Sequence, residues 1–239
     1  MTLYADEVFA PLDHDLHLER IGGGNETEVY CTDDRRFVVK LKSDLGGDVA
    51  AVLATAETMR LAAERFAAAL GSEYTIPSHY LVARDSAGRV QVLVVQPFIE
   101  HARPLYAIDY AGLSSSEREH IAAQLREIIR RALLFYRKTG SMPDLYGRSS
   151  TSKSERERLN TPGMLPWRLW SFLVQRNLLR SHNLLLTDAP DRRVFLIDYD
   201  PVRKGWFYLL VYYGVRWNLF WRDHALIQRM RRHGIVPWA

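Results

Sequence analysis

His182-Asn183-Leu184-Leu185-Leu186-Thr187, a turn from Asp188 to Arg192, and Arg193-Val194-Phe195-Leu196-Ile197-Asp198-Tyr199 form the stretch that decides how this 239-residue chain is read. Two short apolar runs flank Asp, Ala, Pro and Asp, residues that favour chain reversal, so a hairpin of two short strands is predicted. A carboxamide, Asn183, stands just before the first strand, and a carboxylate, Asp198, stands at the end of the second. Both present oxygen, the donor that hard divalent cations prefer, and Asn183 could supply a second metal-facing oxygen beside Asp198. A strand-terminal aspartate occurs in any fold, but its pairing with Asn-Leu-Leu-Leu across a turn is far more specific than either half.

Upstream, Leu16 to Lys42 alternates apolar and polar residues around a glycine cluster. The same style returns in His79–Asp85 and Arg89–Glu100, joined by Ser86-Ala87-Gly88, and the whole reads as an antiparallel sheet. Between them Asp48 to Leu70 is alanine-rich with helical spacing and stops at Gly71. After Pro104 the pattern turns helical: Ser114 to Glu117 can start a helix, Ile121, Leu125, Ile128, Ile129, Leu133 and Tyr136 form its stripe, and Gly140 stops it. Arg148 to Pro166 reads as an exposed polar loop, Trp167 to Leu179 as a helix, and a long aromatic helix with a basic tail closes the chain. The fold class expected is α+β, with a strand-rich part at 1–100, a mainly helical part at 101–239, and an insertion at about 148–180.

The run Ile21-Gly22-Gly23-Gly24-Asn25-Glu26-Thr27-Glu28-Val29-Tyr30 puts glycines where a strand turns back, and only glycine lets backbone amides come so close to bound phosphates. Gly22 and Gly24 are the candidate contacts and Val29 the apolar cover of a base; a flexible hairpin would account for the same glycines. Lys40 closes the strand Phe37-Val38-Val39-Lys40, from which an ammonium could reach phosphates beneath the loop, although a surface lysine at a strand end is equally compatible. Glu57 and Glu64 lie seven residues apart on one face of the following helix and could pair with it, Glu64 from the better distance.

In this order the motifs resemble the protein-kinase-like superfamily, especially its compact, atypical bacterial and small-molecule phosphotransferase branches, from about Leu16 to Asp200. The resemblance implies a two-lobed fold with an antiparallel-sheet N-lobe and a reduced helical C-lobe, with ATP and Mg2+ as cofactors. Gly22, Gly24 and Lys40 would then hold phosphate, Glu64 or Glu57 would pair with Lys40, and the backbone near Gln96 to Phe98 would meet adenine. Asn183 and Asp198 would ligate metal. The helix ending at Thr139-Gly140 and the following Ser141-Met142-Pro143-Asp144-Leu145-Tyr146-Gly147 look like the family's helix, glycine and catalytic segment, which makes Asp144 the candidate base; as plain sequence it is also a turn residue after a proline. Three departures stand out. The third loop glycine is Thr27, the Phe-Gly after the metal aspartate is Tyr199-Asp200, and Asn183 follows Asp144 by 39 residues where the family has about five.

Charge is unevenly spread: Arg148–Arg180 and Arg203–Arg232 each hold seven Lys/Arg, against two acids and one, within a chain of net charge +4. Such a basic setting disfavours polycationic acceptors and favours a phosphorylated or otherwise anionic one. The 39 residues after Asp200 are too few for the substrate-binding helices of a regulatory protein kinase, so a small molecule or lipid is the expected acceptor. Trp167, Trp170, Phe172, Leu173 and Leu178 give the insertion an apolar stripe suited to a core, an acceptor lid or a peripheral membrane contact. A nucleic-acid partner is disfavoured, a single cysteine and scattered histidines give no zinc spacing, and no Gly-x-Ser-x-Gly occurs. The lone Cys31, the acidic N-terminus and the charged interruptions of the longest apolar stretch make a cytoplasmic protein the expectation. The displaced base leaves a nucleotide-binding pseudokinase as the alternative.

Overall fold

The computed structural model describes residues 3–4, 18–23, 27–42, 48–84, 88, 90–147, 161–170, 176–199 and 206–236. The chain divides into two compact units, one built mainly on residues 1–64 and 76–100, the other on 65–75, 101–148 and 158–239. In the first, β2 (Leu18–Gly23), β3 (Thr27–Thr32), β4 (Phe37–Lys42), β5 (His79–Arg84) and β6 (Val90–Pro97) form an antiparallel sheet in the order β5-β6-β4-β3-β2. A two-residue strand, β1 (Leu3–Tyr4), adds parallel to the edge of β5, a pairing the sequence did not suggest because two residues carry no period.

Alternation sets which face each side chain takes. Lys40 pairs across the ladder with Val29 and Val94, and Val94 with Tyr80, so these four share one face. The next row on that face is Lys42, Thr27, Val92 and Val82. Val82, Val92, Val94 and Tyr80 are buried, and so are both lysines, 8% and 9% exposed. At the β3–β4 turn the Thr32 hydroxyl donates to Asp34 at 2.6 Å and accepts the Phe37 N–H at 3.1 Å.

Helix α1 (Val49–Leu70) buries Val52, Ala56, Met59, Ala63, Phe66 and Leu70, spaced three or four apart as one helical face requires. It ends where Gly71 adopts φ +94.

In the second unit, α2 (Ser115–Thr139) is fixed at both ends by its sequence. The Ser114 hydroxyl accepts the Glu117 N–H at 3.2 Å and the Glu117 carboxylate accepts the Ser114 N–H at 2.8 Å, a reciprocal cap that satisfies two otherwise orphaned donors. Gly140 takes the left-handed conformation, φ 73, that stops it. Ile121, Leu125, Ile128 and Ile129 are fully buried, and α2 packs against the last helix, α4 (Trp206–His233). Arg118 donates to the Arg231 carbonyl and Arg231 pairs with Glu119 at 3.0 Å, tying the two helices at one end.

The predicted hairpin is present as β8 (Leu184–Thr187) and β9 (Val194–Leu196), joined by an unanticipated β7 (Ala102–Pro104) into a sheet ordered β7-β8-β9. The continuous helix expected from Trp167 to Leu179 is not formed. A short α3 (Leu165–Trp170) is followed, after undescribed residues, by Asn177 in an extended conformation (φ −139, ψ 164) and a single 3-10 turn, Leu178–Arg180. That turn places Leu178 and Leu179 in the core, 0% and 1% exposed, which a helix continuing its own register was not required to do. Trp167 and Trp170 are instead 47% and 55% exposed. Among the described residues no helix is long and apolar enough to cross a membrane.

Candidate functional site

The site in the second unit is assembled from two segments far apart in sequence. The first runs from Gly140 to Gly147. Asp144 folds back on itself, its Oδ1 accepting the Tyr146 N–H at 3.1 Å, the local turn that aspartate favours. The second runs from Arg176 into β8. Ser181, fully buried, donates its hydroxyl to the Leu145 carbonyl at 2.6 Å and accepts the N–H groups of Asn183 and Leu184, each at 3.0 Å. The His182 N–H donates to the Tyr146 carbonyl at 2.8 Å.

The joint closes on Asn183, whose Nδ2 donates to the Asp144 carbonyl at 2.6 Å across 39 residues of chain. The separation that most strained the kinase resemblance is thus spanned by direct hydrogen bonds. Because the amide nitrogen is spent in this way, Asn183 Oδ1 is the atom left over, and it takes no hydrogen bond among the described residues. Gly147, at φ +61, makes this possible: a Cβ there would collide with the Asn183 carboxamide. The Ile197 N–H donates to the Asn183 carbonyl at 2.9 Å, which sets Asp198, partly buried, one residue further along from the asparagine. Tyr199 is 3% exposed and donates to the Leu196 carbonyl at 2.6 Å, so the residue after Asp198 anchors the strand end. Arg176 faces the candidate base, with its guanidinium 3.8 Å from Asp144 Oδ2.

The Asn183 carboxamide oxygen and the Asp198 carboxylate are donors of the kind a hard cation takes, one that completes its shell with phosphate and water. Among the described residues no three His, Cys, Asp or Glu side chains gather into an all-protein metal centre.

In the first unit, Gly22 pairs with Val29 beside an irregularity in the β2–β3 ladder, and a Cβ at Gly22 would meet nothing within 4 Å. Gly24 lies outside the described residues. Val29 stands directly across from Lys40. Glu57 and Glu64 share a face of α1, as their spacing requires, and both engage Arg60, at 2.6 Å and 2.5 Å. Glu64 is the more exposed of the two side chains, 54% against 35%. Gln96 is buried, its Nε2 donating to Ser78 Oγ at 2.7 Å, and the Phe98 N–H donates to the Arg36 carbonyl at 2.8 Å. A contact from Phe98 to an adenine would therefore come through its carbonyl.

Sequence reasoning missed Ser181, Gly147, Tyr146 and Arg176. It also missed Asp223 on α4, 1% exposed, which accepts the Tyr146 hydroxyl at 2.6 Å. Burial pushes the Asp223 carboxyl up to about 6, against the opposing pull of the Tyr146 hydrogen bond and of Arg222.

No family model and no curated protein matches the sequence. Among solved structures, the chain is similar to a microcompartment-associated aminopropanol kinase, with 13% identity, a TM-score of 0.43, and 97% of this chain and 82% of that one covered. It is also similar to a spectinomycin phosphotransferase solved with ADP and spectinomycin, with 15% identity, a TM-score of 0.36, and 84% and 70% covered.

Proposed function

We propose that this chain is an ATP-dependent, kinase-like phosphotransferase acting on a hydroxyl of a small, anionic acceptor. The observation that carries the reading is the 2.6 Å hydrogen bond from Asn183 Nδ2 to the Asp144 carbonyl. It joins the candidate base to the candidate metal ligand and leaves the Asn183 oxygen without a hydrogen bond among the described residues. Asp144 orients the acceptor hydroxyl and takes its proton, a contribution of about 10²–10⁴ in rate when well placed. Asn183 and Asp198 would hold Mg2+, which would offset the charge that develops on the transferring phosphoryl group. In the first unit Lys40 anchors the phosphates, with Glu64 or Glu57 as its partner. Gly22 and Gly24 let the β2–β3 turn lie close over them, Val29 covers the adenine, and the backbone from Gln96 to Phe98 borders it. Arg176, beside Asp144, supplies positive charge where an anionic acceptor would enter.

The test is transfer of the γ-phosphoryl group from Mg2+-ATP to a panel of neutral, phosphorylated and polyamine-bearing alcohols. The expected result is product with phosphorylated or carboxylated alcohols and a fall of at least about a hundredfold in Asp198→Ala. Unchanged transfer in Asp198→Ala would remove the metal assignment. ATP binding without product from any acceptor would point to a nucleotide-binding module without turnover.

A further inference from the structure

We propose that the neighbouring residues Arg222 and Asp223 on α4 are the splint of an interrupted catalytic loop. They hold its upstream end at Tyr146 and its downstream end at Arg176–Leu178, so that Asp144 and Asn183 meet although residues 148–175 stand between them. The catalytic consequence rests on the phosphotransferase reading; the bracing does not.

Asp223 is a carboxylate at 1% exposure, a placement that is unfavourable unless donors surround it. It has donors on both sides of the interruption. Upstream, the Tyr146 hydroxyl donates to its Oδ2 at 2.6 Å. Downstream, the Leu178 N–H donates to it as well. Its neighbour Arg222 lies 3.4 Å from Asp223 Oδ1 and donates to the Arg176 carbonyl. One point on one helix therefore reaches both ends of the split.

The bracing passes directly to the candidate base. The Tyr146 whose ring is tied to Asp223 is the residue whose N–H holds Asp144 Oδ1 at 3.1 Å. The Arg176 whose carbonyl is tied to Arg222 is the residue whose guanidinium faces Asp144 Oδ2. One oxygen of the Asp144 carboxylate is hydrogen-bonded by, and the other lies 3.8 Å from, residues that the α4 pair grips. Closing so long a loop carries an entropy cost that rises with its length, and a fixed anchor shared by its two ends offsets that cost. Asp223 is accordingly a positioning residue: it acts through Tyr146 and Leu178 and touches neither acceptor nor phosphate in this assignment.

The experiment compares the full-length wild type with Tyr146→Phe, Asp223→Asn, Arg222→Gln and the Tyr146→Phe/Asp223→Asn double variant. Hydrogen exchange is followed in the peptides spanning 141–147 and 176–184. In each single variant both peptides should exchange about tenfold faster while the centre of α2 stays as protected as before. Mg2+-ATP turnover should fall about tenfold in kcat with KM for ATP changed less than about twofold, and the double variant should be no worse than the poorer single one, as expected of residues acting as one unit. Faster exchange in only one of the two peptides, loss of protection throughout the unit, or fully additive kinetic effects would overturn the splint. If Asp223→Asn does not fold, Tyr146→Phe and Arg222→Gln decide the question. A wild type without turnover would remove the phosphotransferase reading, and the exchange result would still decide the bracing.

Discussion

Gly147 and Gly140 differ in what a side chain would meet, and this gives a prediction at the scale of one residue. Both have positive φ, but a Cβ at Gly147 would collide with the Asn183 carboxamide, whereas one at Gly140 would meet nothing within 4 Å. Gly140→Ala should cost about 1 kcal/mol from backbone strain alone and leave ATP turnover intact. Gly147→Ala should cost more, about 2–3 kcal/mol, and reduce turnover because it displaces Asn183. Urea unfolding and an ADP-release assay on the two variants check the contrast. Asp223 provides a second prediction. Its folded-state value, about 6, lies above the ordinary 3.8, so the native state holds the proton more tightly than the unfolded chain. The stability this gives is fully present below about pH 4 and is lost as pH rises through about 6, a change of up to about 3 kcal/mol. Asp223→Asn should flatten the pH dependence of unfolding over that window; an unchanged slope would count against it. The hairpin that carries Asn183 and Asp198 was legible in the sequence because its two strands and its turn are local. Ser181 and Asp223 were not, because their partners Leu145 and Tyr146 lie 36 and 77 residues away and no periodicity marks such pairs.

At the scale of elements, the ends of α1 and α2 were readable because glycine stops and a serine-glutamate cap act locally. β1 and β7 were not readable, since strands of two and three residues have no alternation to detect. The helix expected through Leu179 does not reach it: Asn177 is extended, and Leu178 and Leu179 lie in the core. The α2 cap also reaches the turn of the hairpin that carries Asn183 and Asp198. Glu117 accepts the Ser114 N–H and pairs with Arg192, in the turn between β8 and β9, at 2.7 Å. The Ser114 backbone first, then Arg192, hold its carboxyl down at about 2. This lowered value contributes stability above the unfolded value near 4.5 that is lost as pH falls through about 2. Glu117→Gln should therefore melt below the wild type at pH 6, with the gap closing towards pH 2; a gap independent of pH would show that the carboxylate charge is not involved. Ser114→Ala should cost about 1 kcal/mol in chemical unfolding by loss of the cap alone.

At the scale of the whole molecule, the chain places its nucleotide candidates in the strand-rich unit and its chemical candidates in the helical one. The spacing of 39 residues between Asp144 and Asn183 was the feature least compatible with a kinase-like reading, and hydrogen bonds bring the two segments together across it. If nucleotide and metal bind the folded chain, ATP with Mg2+ at a hundred times its Kd should raise stability by about 2.7 kcal/mol, and omission of Mg2+ should remove most of that shift. The most direct measurement is Mg2+-dependent ADP release by the wild type beside Asp144→Asn at saturating ATP. The account predicts turnover in the wild type and a fall of at least about a hundredfold in kcat for Asp144→Asn, with ATP binding retained. Equal turnover in the two proteins, or ATP bound by the wild type with no ADP released, would contradict it.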